Sequence, residues 1–419
     1  MTVITDELIE KASGAKRASL ALAQLSTDQK NHALRAIARA LRAREQAILA
    51  ANAKDCAQAD EHVAIDRLRL TSDRIAAMAH DVEAVADLAD PVGEEFDRVT
   101  RPNGLQISKR RVPLGVVGVV YEARPNVTTD VAALCLKSGN AVVLRGGKEA
   151  LESNRAIVDA IHQGLADAGV DPAAVQFITS TDRALVDRML KLRRYIDVIV
   201  PRGGAGLIKA TIEQSTVPVI ETGAGVCHTY VDARADQDMA LRIVFNAKVR
   251  RPTICNALDT VLVHRDIIAL WLPRLAREFA EAGVELRADA EAAHALDGAG
   301  APFAPASAED WGQEFLGLIA AVKVVESLDA ALAHIREYGS GHSEAIVTED
   351  PQAAQRFLNE VDAAAVFVNA STQFTDGGEF GLGAEVGIST QKLHARGPFA
   401  LKELTTYKWI VQGTGQIRA

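Results

Sequence analysis

The chain has 419 residues, enough for two or three domains with substantial cores. Its 46 Lys and Arg against 55 Asp and Glu give a formal net charge of −9, and aromatic residues make up only 5%. An acidic chain with few aromatic residues is a poor general binder of nucleic acids.

The distribution of apolar and charged residues argues against two further classes of protein. No apolar run approaches the roughly 18 residues that a membrane span needs. Residues 1–8 include acids where a secretory signal peptide carries basic residues. We therefore expect a cytoplasmic protein without a membrane partner.

The first hundred residues have the apolar periodicity of helices. Apolar residues from Leu34 to Leu41 share one helical face, and Thr27 is a candidate N-cap. A second amphipathic helix is predicted after Ser72 and before Pro91. Residues 103–112 include alternating apolar and polar side chains, which predicts a half-exposed strand that forms an arm.

From residue 114 onward, apolar strands alternate with helices. This pattern indicates β-α-β units and parallel sheets covered on both faces. The first series of predicted strands comprises residues 115–121, 141–144, 175–178, 196–200 and 217–220. A second series comprises residues 260–263, 320–325, 345–348 and 364–368, and a separate tail strand follows at 407–411.

Two successive series predict an α/β fold with two Rossmann-like parallel-sheet domains and a small β arm. We place the first domain at residues 1–102 and 114–230 and the second at residues 231–392. The arm comprises residues 103–113 and the tail 393–419. A tail strand with Tyr407, Trp409 and Ile410 would leave an apolar edge exposed on a monomer, which predicts a partner for it.

Two glycine-containing turns follow predicted strands, where the ligands of open parallel sheets bind. The run Arg-Gly-Gly-Lys at residues 145–148 places two cations beside two glycines, which suits a phosphate; the alternative is a basic turn in water. The run Pro-Arg-Gly-Gly-Ala-Gly at residues 201–206 precedes a predicted helix. It is either a loop that presents a helix N-terminus to a phosphate or a purely structural turn.

Cys255 is the candidate nucleophile among four cysteines, whose spacing matches neither a metal site nor a disulfide framework. Lys248, Arg250 and Arg251 precede it, and nearby cations favour the reactive thiolate. The alternative is an inert buried thiol, the usual fate of a single cysteine. Glu221 is also notable because it ends an apolar strand beside glycines, although such an acid is more often simply solvated.

Together these features resemble the aldehyde dehydrogenase superfamily, and most closely its members that reduce L-glutamate 5-phosphate in proline synthesis. The resemblance covers nearly the whole chain, and its most specific stretches are residues 119–128, 145–148, 201–204, 251–256 and 368–389. The last stretch, which contains the run Thr-Asp-Gly-Gly-Glu-Phe-Gly, is close to diagnostic.

The resemblance implies that Cys255 is the nucleophile of the second domain and that the first domain binds NADPH. Glu314 resembles the superfamily glutamate that holds the nicotinamide ribose. Glu221 lies where the superfamily has a base for thioester hydrolysis, a step that a reductase does not need, so its role stays open. The implied cofactor-binding residues are Arg145, Gly146, Gly147, Lys148, Pro201, Gly203, Gly204 and Glu314.

Four residues are implied as ligands of the substrate phosphate or α-carboxylate: Arg124, Asn126, Arg250 and Arg251. The chain departs from the superfamily in two places. The usual Asn-Phe-Pro segment, whose Asn helps hold the oxyanion, is replaced by Ala-Arg-Pro-Asn126, so the oxyanion donor stays open. Arg250 also stands where the resemblance leads us to expect an uncharged side chain.

The implied reaction begins when the Cys255 thiolate attacks L-glutamate 5-phosphate. Phosphate leaves, and hydride from NADPH reduces the thioester to L-glutamate 5-semialdehyde. The implied partners are an upstream glutamate 5-kinase and further copies of the chain, in a dimer or tetramer. No metal or nucleic acid is expected.

Two alternatives stay open from the sequence. One is an NAD(P)-dependent aldehyde dehydrogenase that acts on another small aldehyde, although the run at residues 376–381 argues against it. The other is a non-catalytic oligomeric scaffold, which the presence of Cys255 and of both glycine turns makes the weaker choice.

Overall fold

The structure, a computed structural model, describes residues 6–59, 65–122 and 124–418. The chain forms two compact units. The first contains Met1–Thr222, Gly381–Gly387 and Phe399–Ala419, and the second contains Gly223–Phe380 and Ile388–Pro398.

The helices and strands follow each other in an order that gives each unit its own sheet. The helices are α1 (Glu7–Leu22), α2 (Thr27–Ala43), α3 (Glu45–Gln58), α4 (Ile65–Leu68), α5 (Ser72–Asp87), α6 (Asn126–Lys137), α7 (Leu151–Asp167), α8 (Ala184–Met189), α9 (Ala205–Gln214), α10 (Gln237–Val249), α11 (Ile268–Glu281), α12 (Ala290–Leu296), α13 (Leu328–Tyr338) and α14 (Pro351–Glu360). The strands are β1 (Glu95–Thr100), β2 (Gln106–Pro113), β3 (Val116–Tyr121), β4 (Ala141–Arg145), β5 (Val175–Phe177), β6 (Val198–Arg202), β7 (Cys227–Val231), β8 (Leu258–His264), β9 (Glu285–Ala288), β10 (Ala304–Pro305), β11 (Ile319–Val325), β12 (Ser343–Val347), β13 (Ala365–Val368), β14 (Gly387–Ser389), β15 (Gly397–Phe399) and β16 (Thr405–Gln412).

The predicted N-terminal helices are confirmed as α2 and α5, whose apolar faces are buried. The N-cap prediction for α2 was wrong by one residue. Ser26, not Thr27, accepts the backbone N–H of Gln29, and the Gln29 side chain accepts the N–H of Ser26 in return. This reciprocal pair satisfies two N–H groups that the first helical turn leaves without partners.

The first unit has a four-stranded parallel sheet in the order β5-β4-β3-β6. Its strands were predicted, except that residues 217–220 do not form a full strand. Val219 makes only an isolated parallel bridge to Ile199, and Pro218 contributes its carbonyl alone. Because proline has no N–H, it cannot extend the ladder on both sides.

The arm is a three-stranded sheet in the order β1-β2-β16, and it belongs to the first unit. The predicted tail strand is confirmed as β16, which pairs antiparallel with β2 of its own chain from Thr405 opposite Pro113 to Gln412 opposite Gln106. Strand β1 was assigned to the helical domain, because its sequence, Glu-Phe-Asp-Arg-Val-Thr, is too polar to indicate a strand.

The outer strand of the arm leaves apolar side chains in solvent. Tyr407, Trp409 and Val411 of β16 are 46%, 59% and 57% exposed. The Lys109 ammonium lies 4.6 Å from the Tyr407 ring centroid and 5.0 Å from that of Trp409, an arrangement that holds the rings in place. An exposed apolar strand at a sheet edge is a surface that proteins normally cover.

We therefore expect a second copy of the chain to cover β16. The double variant Trp409→Glu/Val411→Glu should then have a lower mass by light scattering than the parent, because two carboxylates would be buried without partners in the interface. Ile417→Glu is the control, since Ile417 lies past the end of β16 and is 90% exposed. A parent that is monomeric, or a double variant of unchanged mass, would contradict the expectation.

The second unit has a seven-stranded sheet in the order β10-β9-β11-β8-β7-β12-β13, and all of its pairings are parallel. The predicted second α/β series is therefore confirmed. Strands β9 and β10 were not predicted, because they are short. Trp271 and Phe279 of α11 are fully buried in the core of this unit.

The chain passes between the units at residues that differ from the predicted domain limits. We expected the first domain to extend to residue 230, but β7 pairs with β8 and β12, so the second unit begins at Gly223. We also expected the second domain to include residues 381–387, which belong to the first unit. Among the described helices, none is long and apolar enough to cross a membrane.

Candidate active site

Cys255 lies half-buried in the loop that joins α10 to β8 in the second unit. Residues of the run predicted to be most diagnostic hold this loop. The Gln373 side chain donates to the carbonyl of Ala247 at 2.8 Å, and Thr372 donates to the carbonyl of Asn256 at 2.8 Å. The Asn256 amide in turn donates to two carbonyls of the run. Both sides of Cys255 are thus fixed by hydrogen bonds.

Gly225 packs directly against the backbone of Cys255. A Cβ atom at Gly225 would lie 1.5 Å from the Cys255 carbonyl oxygen, so no larger residue fits without moving the loop. The Cys227 thiol donates to the same carbonyl oxygen at 3.4 Å. The glycine run after Glu221 therefore serves the nucleophile loop through Gly225, which sequence reasoning did not single out.

The other three cysteines lie in different surroundings. Cys135 is fully buried in α6, as predicted, and Cys227 is fully buried at the start of β7. Burial raises the pKa of both thiols, and in Cys227 the nearby Asp259 and Glu344 carboxylates raise it further. Neither thiol is suited to act as a thiolate. Cys56 lies on α3, away from the second unit.

The three cations that precede Cys255 have two different environments. Arg250 and Arg251 are exposed, and the Arg250 Nη1 donates to the Gln373 side chain at 3.3 Å. Lys248 is fully buried, and its Nζ lies 3.7 Å from an Asp259 carboxylate oxygen. Only the two arginines are thus placed to meet a dissolved anion, while Lys248 is the counter-ion of a buried carboxylate.

Glu314 is part of the second unit and contacts the nucleophile region through Gly225. Its Oε1 accepts the backbone N–H of Gly225 at 2.9 Å. Burial raises the pKa of Glu314, and the hydrogen bond from Gly225 opposes this shift. The predicted cofactor glutamate and Cys255 therefore contact the same glycine.

The predicted basic turn lies at the carboxyl end of β4 in the first unit. Gly146 and Gly147 are buried, and a Cβ at Gly146 would lie 2.4 Å from the Asn154 side chain. The Arg145 guanidinium donates to the carbonyls of Gly146 and Thr181, and burial lowers its pKa. Lys148 is exposed.

The second predicted turn, residues 201–204, follows β6 and precedes α9. Gly204 is the N-cap of α9 and provides no side chain to cap it. The Gly204 N–H donates to the Glu122 carboxylate at 2.9 Å, and a Cβ at Gly203 would lie 2.6 Å from the same carboxylate. Since β3 lies between β4 and β6 in a parallel sheet, both turns lie at the same edge of that sheet.

Three further predicted residues belong to the first unit. Arg124 and Asn126 are exposed between β3 and α6, and Glu221 is half-buried near the end of the unit. The Asn126 amide donates to the Asp130 carboxylate at 3.0 Å. Burial, with the nearby Asp81 carboxylate, raises the pKa of Asp130 to about 7.

The described side chains support thiol chemistry and phosphate binding. In the described part of the chain, no group of three or more His, Cys, Asp or Glu is arranged to hold a metal ion. Sequence reasoning missed Gly225 and Asp259. Gly225 had a signal, because it belongs to the glycine run after Glu221, whereas nothing in the sequence distinguishes Asp259 from other acids in apolar strands.

Comparison with known proteins extends these observations. The aldehyde dehydrogenase family model matches residues 3–294. A gamma-glutamyl phosphate reductase from Dehalococcoides mccartyi is 56% identical over 417 residues, with 98% of each chain covered. One from Escherichia coli is 54% identical over 409 residues, covering 97% of this chain and 98% of the relative. The crystal structure of the Thermotoga maritima gamma-glutamyl phosphate reductase is similar with a TM-score of 0.96 and 46% identity, covering 99% of this chain and 100% of that one.

Proposed function

The chain belongs to the aldehyde dehydrogenase family and, within it, to the gamma-glutamyl phosphate reductases, and we propose that it reduces L-glutamate 5-phosphate to L-glutamate 5-semialdehyde. It is therefore an oxidoreductase of proline biosynthesis. One observation carries the mechanism: the half-buried Cys255 lies on a loop that is fixed on both sides and flanked by two exposed arginines.

The proposed chemistry begins with attack of the Cys255 thiolate on the 5-acyl carbon of the substrate. The new C–S bond displaces inorganic phosphate and leaves a thioester on Cys255. Arg250 and Arg251 are cations beside this residue and are proposed to meet the phosphate. The backbone N–H of Cys255 is the proposed donor to the developing oxyanion.

Aldehyde dehydrogenases use a nicotinamide cofactor, and we propose NADPH for this chain. The first unit fits a phosphate-bearing ligand, because two buried glycines without room for a Cβ and a helix N-terminus without a side-chain cap lie at one edge of its sheet. When bound, NADPH supplies the hydride that reduces the thioester carbonyl. Residues 145–148, Pro201, Gly203 and Gly204 are proposed to bind its phosphates, and Glu314 its nicotinamide ribose.

The preference for NADPH over NADH is proposed to depend on Arg145 and Lys148. Replacing both with Ala should raise the Michaelis constant for NADPH about 10-fold to 100-fold, since charge-assisted hydrogen bonds to phosphate contribute roughly 1.5–3 kcal/mol each. NADH lacks the 2′-phosphate, so its Michaelis constant is the internal control and should change little. Equal weakening of both cofactors in steady-state kinetics would show that the pair does not recognise this phosphate.

Three residues keep a less specific proposal. Arg124 and Asn126 are proposed to contribute to substrate binding, since both are exposed and polar at the start of α6. Glu221 is not required by the proposed reduction, because the thioester is reduced and not hydrolysed.

The proposed partners follow from the substrate. An acyl phosphate is a product of phosphoryl transfer to a carboxylate, so a glutamate 5-kinase is the proposed source of the substrate. We also propose a cytoplasmic homo-oligomer, a dimer or tetramer, with the arm as its interface.

The forward assay tests this function. The purified chain is supplied with L-glutamate 5-phosphate, made in place by a glutamate 5-kinase from glutamate and ATP, and NADPH oxidation is followed by absorbance. Oxidation should require both the kinase and ATP, with one phosphate released for each NADPH oxidised. Oxidation at the same rate without ATP would contradict the acyl phosphate as substrate.

A further inference from the structure

Asp259, in β8, lies at the centre of a set of contacts that reach the nucleophile loop. Its carboxylate is 2% exposed and accepts two backbone N–H groups, from Cys227 at 3.3 Å and from Phe315 at 3.0 Å. The Cys227 thiol then donates to the carbonyl of Cys255. One carboxylate is therefore linked to Cys255 through a single intervening residue.

The same carboxylate is linked to Cys255 by a second route. Phe315 follows Glu314, whose carboxylate accepts the N–H of Gly225, and Gly225 packs against the Cys255 carbonyl. The two routes form a closed ring of contacts from Asp259 to Cys255 and back. A ring of this kind fixes the backbone at several points at once, and movement at one point is transmitted to the others.

Lys248 balances the charge of Asp259. The two side chains are 0% and 2% exposed, and their charged atoms are 3.7 Å apart, which is an ion pair longer than a hydrogen bond. Lys248 makes no other polar contact among the described residues, and its Nζ has no hydrogen-bond partner there. Burial lowers the pKa of Lys248, so its ammonium is retained mainly through Asp259. Loss of either partner would leave a buried charge unpaired.

We propose that Asp259, with Lys248 as its counter-ion, is a positioning residue that holds Cys255 and Glu314 for the reaction. The inference rests on the proposed roles of Cys255 and Glu314. It gives a task to a buried ion pair that the chemical steps themselves do not use. Neither side chain reaches the substrate in this account.

The proposal predicts a pH dependence. The groups that face Asp259 are Lys248 from α10, Cys227 from β7 and Glu314 with Phe315 from the segment before β11. Burial raises the pKa of Asp259 to about 6, while Lys248 and the two backbone N–H groups oppose the shift. As the pH falls through this value, the carboxyl takes up a proton and one oxygen becomes a donor. The ring then loosens, and the reactivity of Cys255 falls.

The test measures alkylation of Cys255 by iodoacetamide in the full chain, with the modified peptide quantified by mass spectrometry across a pH series. Asp259→Asn should slow alkylation roughly tenfold or more, because one backbone N–H then faces an amide N–H and the loop shifts. It should also weaken NADPH binding measured by fluorescence, through Glu314. Lys248→Met should move the acid-side midpoint upward by roughly one pH unit or more, because removal of a nearby cation raises a carboxyl pKa.

Three further variants make the test specific. Cys227→Ala removes only the thiol contact, so alkylation should slow with an unchanged midpoint and unchanged NADPH binding; this variant keeps the test valid if Lys248→Met does not fold. Glu344→Gln is the control, because it disturbs the buried His228–Glu344 pair of the same sheet, and it should lower thermal stability without changing alkylation. The double variant Lys248→Met/Asp259→Asn should react slowly without the upward shift of the midpoint.

Parent-like alkylation, midpoint and NADPH binding in the Asp259 and Cys227 variants would overturn the proposal. Because alkylation reads Cys255 without turnover, this outcome is separate from failure of the proposed function. That failure would show as turnover that survives Cys255→Ser.

Discussion

Cys255→Ser should lower the turnover number on the order of 10³-fold or more while leaving the fold and NADPH binding intact. A serine hydroxyl needs a dedicated general base to attack an acyl carbon near neutral pH, whereas a cysteine can react as the thiolate. The side chain is half-buried, and the hydrogen bonds that hold its loop come from neighbouring residues, so the substitution removes little except the sulfur.

The matched control is Cys56→Ser, which replaces a half-buried thiol on α3 in the first unit. It should leave the turnover number close to that of the parent. Steady-state kinetics and NADPH fluorescence on the two variants are sufficient. Retention of more than a few per cent of the parent rate by Cys255→Ser would contradict the assignment of the nucleophile.

Gly225→Ala should have the second-largest effect. The added methyl would lie 1.5 Å from the Cys255 carbonyl oxygen and 2.5 Å from its carbonyl carbon, so the nucleophile loop has to move. A displacement of about 1 Å at a reacting group can lower a rate about 10²-fold, and we expect a loss of that order in the turnover number. Overpacking of this kind also costs about 1–3 kcal/mol of folding stability.

The control for this substitution is Gly14→Ala, in helix α1. A Cβ there would meet its nearest neighbour at 3.8 Å, which is ordinary contact, so activity should be unchanged. Thermal unfolding and kinetics on both variants separate loss of fold from loss of rate. A Gly225→Ala enzyme with the turnover number of the parent would show that the loop position does not limit the reaction.

Much of the fold was predictable, because its strongest signals are local. Apolar runs such as residues 141–144 and 320–325 are buried on both faces of parallel sheets and were found with nearly the observed limits. Strand β1 and the limits of the two units were not predictable in the same way. They depend on pairing between segments that are far apart in sequence, such as β7 with β12.

The site was predictable only where a residue type announces its chemistry. Cys255, the Arg-Gly-Gly-Lys turn and Glu314 were named from the sequence, and their roles stay proposals. Gly225 and Asp259 were missed because their importance lies in what they touch. Lys248 was taken as one of three cations near the nucleophile, but the fold turns its side chain inward to Asp259.

The most direct test of the central claim is the reverse reaction, in which NADP reduction is measured with L-glutamate 5-semialdehyde in the presence and absence of inorganic phosphate. If a thioester on Cys255 is released by phosphate, NADPH should form continuously only when phosphate is present, and Cys255→Ser should form none. Equal rates of NADPH formation with and without phosphate would contradict an acyl-phosphate reductase and indicate an enzyme that hydrolyses its thioester.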